Sequence, residues 1–165
     1  MNVHKFCLVA LACTLTNLAH AELQGRDLDG DVTTFEAYYD TKQNLTWLAD
    51  WAYSRTSGYD ADGRMTWEQA KEWAHQLSFT VRGVVLSDWR LPKTFDIGND
   101  GCQVGLDCGL RPAAESSEIA SLQRFSLPLY RYSPAFDIAL TPQFQNNLSN
   151  FYWSETALVS DSTKA

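Results

Sequence analysis

Histidine is scarce in this chain, and its scarcity excludes several catalytic and metal chemistries. The 165 residues include three histidines, His4, His20 and His75, and the first two lie in an N-terminal segment that we expect to be removed. A single histidine cannot supply several imidazole ligands to a metal, and His75 lacks the partners that a catalytic base needs. His75 falls on the polar face of a predicted helix, so we expect it to lie in solvent.

Basic residues and long apolar runs are also few. Lysine and arginine number 13 against 20 acidic residues, and removal of residues 1–21 takes away Lys5 and no acidic residue, which leaves a formal charge of −8. A chain this acidic is a poor partner for nucleic acids or anionic membrane surfaces. No later apolar run is long enough to cross a bilayer, so no membrane insertion is expected after the N-terminal segment has gone.

The N-terminal segment has the features of a secretory signal. Lys5 precedes an uncharged, mostly apolar run over residues 6–18, and Ala19-His20-Ala21 is a small-x-small cleavage site. A membrane anchor would need a longer run, and a lipoprotein signal at Cys13 would have its leucine in the wrong place. We predict a signal peptide over residues 1–21, cleavage before Glu22, and export to the periplasm, the cell surface or the medium.

Two of the four cysteines, Cys7 and Cys13, leave with the signal. The other two, Cys102 and Cys108, lie in a glycine-rich stretch, and in an exported protein this pattern favours one local disulfide. Five intervening residues are atypical of a redox pair, and a metal site would need further ligands. Closing so short a loop stabilises the fold by about 2 kcal/mol in the chain-entropy model.

The apolar content is sufficient for one packed domain. Hydrophobic residues make up 45% of the chain and aromatic residues 13%, which argues against disorder over most of its length. We predict a single domain over residues 22–157 and a polar tail over residues 158–165.

Three strands and two helices are predicted from local patterns. Residues 35–40 and 45–49 are rich in strand-favouring side chains and are joined by a polar turn, which predicts an antiparallel hairpin. Thr66 with Gln69 forms a capping box, and the apolar face that follows places Trp67 and Trp73 in the core. A short helix over residues 118–124 should begin after Ser116 or Ser117, and residues 150–156 should form a last strand.

Two aspartate-rich turns are candidate cation sites. Asp27, Asp29 and Asp31 alternate as at the start of a calcium loop, but the sixth position is Val32 and the twelfth is Tyr38. Asp60 and Asp62, before Gly63, offer a second and shorter pattern of the same kind. Calcium is therefore a candidate cofactor, and the alternative for both stretches is a polar turn without metal.

The segment Ser87-Asp88-Trp89-Arg90-Leu91-Pro92 predicts a sharp turn with a structural role. Pro92 forces Leu91 into an extended conformation. An ion pair between Asp88 and Arg90, or hydrogen bonds from Arg90 to backbone carbonyls, would fix the turn.

Five motifs follow one another in a recognisable order: Leu45-Thr-Trp-Leu-Ala-Asp50, Ser57-Gly-Tyr-Asp-Ala-Asp-Gly-Arg-Met-Thr-Trp67, Ser87-Asp-Trp-Arg-Leu-Pro92, Ser116-Ser-Glu-Ile119 and Phe151-Tyr-Trp-Ser154. Together they resemble a bacterial family of unknown function that is named after the C-terminal domain of the Legionella collagen-like adhesin. The resemblance covers about residues 26–156. It implies an α+β, C-type lectin-like fold with a short antiparallel sheet, two helices and long loops.

The same resemblance implies an exported domain that binds a glycan or a cell-surface protein. The chain departs from the namesake because it has no collagen-like stalk, and its charge suits a sulfated glycan badly. It also lacks the Glu-Pro-Asn and Trp-Asn-Asp signatures of calcium-dependent lectins. Cys102 and Cys108 do not lie where the related formylglycine-generating enzymes keep their cysteine pair, so no enzymatic residue carries over. Family members usually continue beyond the Tyr-Trp-Ser motif, so we expect the domain to be incomplete at its C-terminus.

Three functional interpretations remain open. In the first, the chain is a binding or adhesion domain, and Trp47, Trp51, Tyr53 and Tyr59 offer stacking faces to a sugar, although each could equally pack in the core. In the second, it is a secreted hydrolase or modifying enzyme that uses the carboxylates of Asp60, Asp62 and Asp88. In the third, it is a truncated structural fragment without activity.

Overall fold

The structure, a computed structural model, describes residues 22–94, 117–127, 142–146 and 152–157. The signal segment, Cys102, Cys108, Ser116 and the tail over residues 158–165 lie outside these ranges. The described part is a mixed α+β arrangement of two small antiparallel sheets and short helices. No helix within the described ranges is both long enough and apolar enough to span a membrane.

Three strands form the first sheet: β1 (Leu23–Arg26), β2 (Ala37–Asp40) and β3 (Leu45–Leu48). They lie in the order β1-β2-β3 with antiparallel pairing throughout, and β2 and β3 confirm the predicted hairpin. The buried carboxylate of Asp40 holds the hairpin turn, since it accepts hydrogen bonds from the backbone N–H groups of Lys42 and Gln43 and from the hydroxyl of Ser126. A buried carboxylate with this many donors is satisfied rather than reactive.

Helix α1 (Tyr53–Thr56) is a single turn and was not predicted from the sequence. Helix α2 (Trp67–Gln76) has the predicted capping box, in which the Thr66 hydroxyl accepts the N–H of Gln69 and the Gln69 side chain accepts the N–H of Thr66. His75 is exposed on this helix, as expected.

The second sheet is a hairpin of β4 (Phe79–Val81) and β5 (Val84–Leu86), and neither strand was predicted from the sequence. Its two-residue loop has both central residues at positive φ, 51° for Arg82 and 82° for Gly83, which is the backbone that two-residue hairpins favour.

Helix α3 (Glu118–Ser121) begins after Ser117, whose hydroxyl accepts the N–H of Ala120, and it continues into a π-helical turn, Leu122–Ser126. The predicted short helix is therefore present. The strand predicted over residues 150–156 is wrong for the described residues 152–157, which have no strand conformation. Their bonds are instead isolated ones, such as the Glu155 N–H to the Pro92 carbonyl and the Trp67 indole N–H to the Ser154 carbonyl.

Two apolar clusters form the core. One gathers Leu122, Leu127 and Phe144 beneath the first sheet, and half-buried side chains from that sheet and from the residues after it pack against it: Leu23, Tyr38, Trp47 and Trp51. The other joins Ala70 and Ala74 of α2 to Leu91, with Met65, Trp67 and Trp73 packed around them. Trp67 and Trp73 thus lie on the inner face of α2, as its periodicity predicts.

Candidate functional site

The first aspartate-rich turn follows β1 directly. Asp27 Oδ1 accepts the backbone N–H of Asp29 at 3.1 Å and of Gly30 at 2.6 Å, and Asp29 Oδ1 accepts the N–H of Asp31 at 2.8 Å. Aspartate folds readily onto amides two or three residues ahead, and Gly30 supplies the positive φ of 96° that the turn requires.

Glu36 brings a further carboxylate back to this turn just before β2. Its Oε2 accepts the N–H of Leu28 at 3.0 Å, and its Oε1 accepts the hydroxyl of Thr34 at 2.8 Å. One oxygen from each of Asp27, Asp29 and Glu36 lies within 4.8 Å of the others. Among the described residues, the buried Oδ2 of Asp27 has no hydrogen-bond partner. Carboxylate oxygens in such a group are the ligands that Ca²⁺ prefers.

The carboxylates that come together are therefore not the trio that the sequence suggests. Asp31 Oδ1 accepts the N–H and the hydroxyl of Thr33 at 3.0 and 2.6 Å, and these bonds, the hydroxyl first, lower the pKa of Asp31. Glu36 stands in its place beside Asp27 and Asp29. Sequence reasoning missed it because it lies at the tenth position of the stretch, whereas a calcium loop of ordinary length has its glutamate at the twelfth.

The second aspartate-rich turn has the same backbone pattern. Asp60 Oδ1 accepts the N–H groups of Asp62 at 3.1 Å and Gly63 at 2.7 Å, and Asp62 Oδ1 accepts that of Arg64 at 2.9 Å. Desolvation raises the pKa of Asp60, but the hydrogen bonds from Gly63 and Asp62 outweigh it and leave the pKa lowered. No third carboxylate joins this turn within the described ranges, and the fifth position is the cation Arg64.

The four aromatic residues predicted as stacking faces do not share one surface. Trp47 and Trp51 are half-buried against the first core cluster, and Trp51 packs edge-to-face on Phe144 with 5.7 Å between centroids. Tyr53 packs on Phe79 at 5.7 Å. Tyr59 alone of the four is exposed, with 53% of its surface accessible.

The Trp-Arg-Leu-Pro segment is fixed by a residue that the sequence does not identify as its partner. Arg90 forms a two-pronged ion pair with Glu118, with distances of 2.6 and 2.8 Å, and it donates a further bond to the Leu91 carbonyl. The interaction with Glu118 raises the pKa of Arg90. Asp88, the other predicted partner, is exposed and has a φ of 66°.

Glu118 also anchors the chain that leaves this segment. Its Oε2 accepts the N–H of Lys93 at 2.7 Å, and its own N–H donates to the Lys93 carbonyl at 2.8 Å. Burial raises the pKa of Glu118, but the hydrogen bonds from Arg90 and Lys93 prevail and lower it. Of the residues predicted to be structural in this segment, Asp88 to Pro92, Arg90 is thereby bonded to the start of α3, as is Lys93 directly after them.

Two tryptophan indoles close the same region from the other side. Trp67 Nε1 donates to the carbonyl of Ser154 at 2.7 Å, and Trp153 Nε1 donates to the carbonyl of Met65 at 2.7 Å. The Thr94 N–H donates to the Thr156 hydroxyl, and the Thr94 hydroxyl donates to the Ser154 hydroxyl, at 3.1 Å each. We use the name motif scaffold for the residues joined by these bonds, by the Arg90–Glu118 pair and by the bond from the Glu155 N–H to the Pro92 carbonyl: Met65, Trp67, Arg90–Thr94, Glu118 and Trp153–Thr156.

Comparisons of the chain with protein-family models, with curated proteins and with solved structures found no match.

Proposed function

We propose that this chain is an exported bacterial binding domain of the adhesion type, with a C-type lectin-like fold and a glycan or cell-surface protein as its partner. The observation that carries the proposal is the motif scaffold. Four of the five motifs that resemble the adhesin family contribute to it, although up to 88 residues separate the bonded pairs.

The scaffold also suggests which residues of the domain are structural and which surfaces are left for ligand binding. The two indoles and the Arg90–Glu118 pair make hydrogen bonds of 2.6–2.8 Å within the scaffold, so these motif residues serve the fold and ligand recognition falls to other surfaces. Two of the three carboxylates of the enzymatic alternative have structural partners too, since Asp60 and Asp62 hold a turn. This supports binding more than hydrolysis.

Expression of the whole precursor tests this proposal. We expect a bacterial host to export the chain and remove residues 1–21, which mass spectrometry of the secreted product would detect. The product should bind glycans on an array or the surface of intact cells. A secreted chain with a cooperative melt that binds neither would contradict the proposal.

We include a calcium ion at Asp27, Asp29 and Glu36 in this proposal. It is supported by the approach of the three carboxylates and by the buried, unpartnered Oδ2 of Asp27. Calcium at about 100 times its dissociation constant would then stabilise the protein by about 2.7 kcal/mol.

Calorimetric titration with calcium, and the melting temperature with and without it, test the ion. Glu36→Gln keeps an acceptor for the Leu28 N–H but removes the charge, so we expect it to abolish the calcium response. Asp62→Asn in the matching second turn should leave the response unchanged. An equal loss in both variants, or no response in the parent protein, would refute the site.

A further inference from the structure

A groove lies next to the first aspartate-rich turn and is lined by no residue of the motif scaffold. It runs between the loop that connects β1 to β2 and the segment over residues 142–146. The residues of its wall that matter here are Thr33, Thr34, Phe35, Glu36, Gln143 and Gln145. None of them was a candidate ligand residue in the sequence.

Phe35 presents an exposed aromatic ring in this groove. The residue Phe35 is 47% accessible, yet one side of its ring lies against Gly25 of β1. A Cβ atom placed on Gly25 would lie 2.4, 2.5 and 2.6 Å from three atoms of the ring, so the ring lies face-on over the glycine. Tyr38 contacts it edge-to-face with 6.2 Å between centroids. One ring face is therefore held against the sheet while much of the side chain remains open to solvent.

Two glutamine side chains that line the same groove have unused hydrogen-bonding capacity. The backbone of Gln145 is fixed, because its N–H donates to the Ala49 carbonyl at 2.9 Å and its carbonyl accepts the Trp51 N–H at 3.1 Å. The side-chain amides of Gln143 and Gln145 take part in no hydrogen bond between described residues. An amide offers both donors and acceptors, which is what a ligand with several hydroxyl groups requires.

The charge of the groove limits the class of ligand. Glu36 is the one charged residue among those that line it, and the exported chain carries a net charge of −8. An anionic sugar would be repelled, whereas a neutral ring can place its C–H face on an aromatic side chain and its hydroxyls on amides and threonines.

We propose that this groove is a binding subsite for an uncharged pyranose unit of a glycan, which stacks on Phe35 and hydrogen-bonds to Gln143 and Gln145. The inference rests on the proposed binding function and gives it a location and a ligand class. These contacts need no cation, so a sugar should bind at this subsite without the proposed calcium ion, although Glu36 both lines the groove and belongs to the proposed calcium site.

Saturation-transfer NMR with the full exported chain would test the subsite, using methyl glycosides of glucose, galactose, mannose and N-acetylglucosamine as probes in EDTA. At least one probe should bind and receive saturation on its ring protons. Phe35→Ala should weaken that binding about tenfold, and Phe35→Tyr should preserve it because the ring remains. Val85→Ala removes an exposed apolar side chain of β5, outside the groove, and should have no effect.

Gly25→Ala provides an independent variant that removes none of the contacting side chains. Its methyl group would push the Phe35 ring from its position, so it should also weaken binding while circular dichroism shows a folded chain. If a glycan binds the parent chain and Phe35→Ala binds equally well, the subsite is wrong and the binding function stands. If the folded chain binds no sugar, or binds only peptides on its cell-surface partner, the subsite is also refuted. Only a lack of binding to any glycan or cell surface would refute both proposals.

Discussion

The aspartate-rich turns and the motif scaffold differ in how far along the chain their hydrogen bonds reach. In both turns, aspartate oxygens accept amides two or three residues ahead. In the scaffold, Arg90 reaches Glu118 across 28 residues, and Trp67 reaches Ser154 across 87. A bond between neighbours costs little chain entropy, whereas a distant one forms only when the intervening chain has folded. The scaffold should therefore govern global stability, and the turns should act on their own surroundings.

The largest effect is expected from Glu118→Ala. The change leaves the Arg90 guanidinium, whose side chain is 31% exposed, and the Lys93 N–H without their main acceptor. We expect a loss of about 2–3 kcal/mol in the free energy of unfolding, since a half-buried charge loses its partner. Urea denaturation followed by tryptophan fluorescence measures it.

Glu68→Ala is the matched control, because Glu68 is exposed on α2 and makes no long-range bond within the described residues. We expect it to cost less than about 1 kcal/mol through the helix dipole. Equal losses in the two variants would show that the Arg90–Glu118 pair has no special weight in the fold.

A smaller effect is expected from alanine at the glycine of each turn. Gly30 and Gly63 have φ values of 96° and 75°, and an L-residue at positive φ costs about 1–2 kcal/mol. A Cβ atom at Gly30 would meet nothing within 4 Å, whereas at Gly63 it would approach Arg55 Cβ at 3.3 Å. Gly63→Ala should thus lie at the upper end of the range and Gly30→Ala at the lower end.

Urea denaturation of both glycine variants checks this ranking and sharpens the comparison. Hydrogen exchange should rise at the amides of the altered turn and remain unchanged at α3. A rise in exchange throughout the scaffold would mean that the turns are coupled to it after all.

The same difference in range explains which elements could be predicted from the sequence. The β2–β3 hairpin, the capping box of α2 and the Ser117 cap of α3 depend on residues within a few positions of each other, and all three are present. Each is encoded by side chains that act on their own neighbourhood.

The misses share the opposite property. Strand β1 has little strand propensity of its own and exists because it pairs with β2 from Leu23 opposite Asp40 to Arg26 opposite Ala37. Glu118 is the partner of Arg90, and Glu36 is the third carboxylate, because the folded chain brings them close in space and no local sequence pattern indicates either contact. Only the β4–β5 hairpin carried an overlooked local signal, namely Gly83 between two runs of strand-favouring residues.

The smallest expected effect is a pH dependence that belongs to Glu118. Its pKa is lower in the folded chain than in the unfolded chain, so at low pH the folded state binds fewer protons than the unfolded state does. The stabilisation is fully present above the unfolded pKa of about 4.3 and is lost as the pH drops through the folded value. The difference in unfolding free energy between the parent and Glu118→Gln should therefore be constant from pH 7 to about 5.5 and shrink below that. Urea midpoints at pH 7, 5 and 3 would measure it, and a difference that does not change with pH would mean that the ionised carboxylate stabilises the fold no more than the protonated acid does.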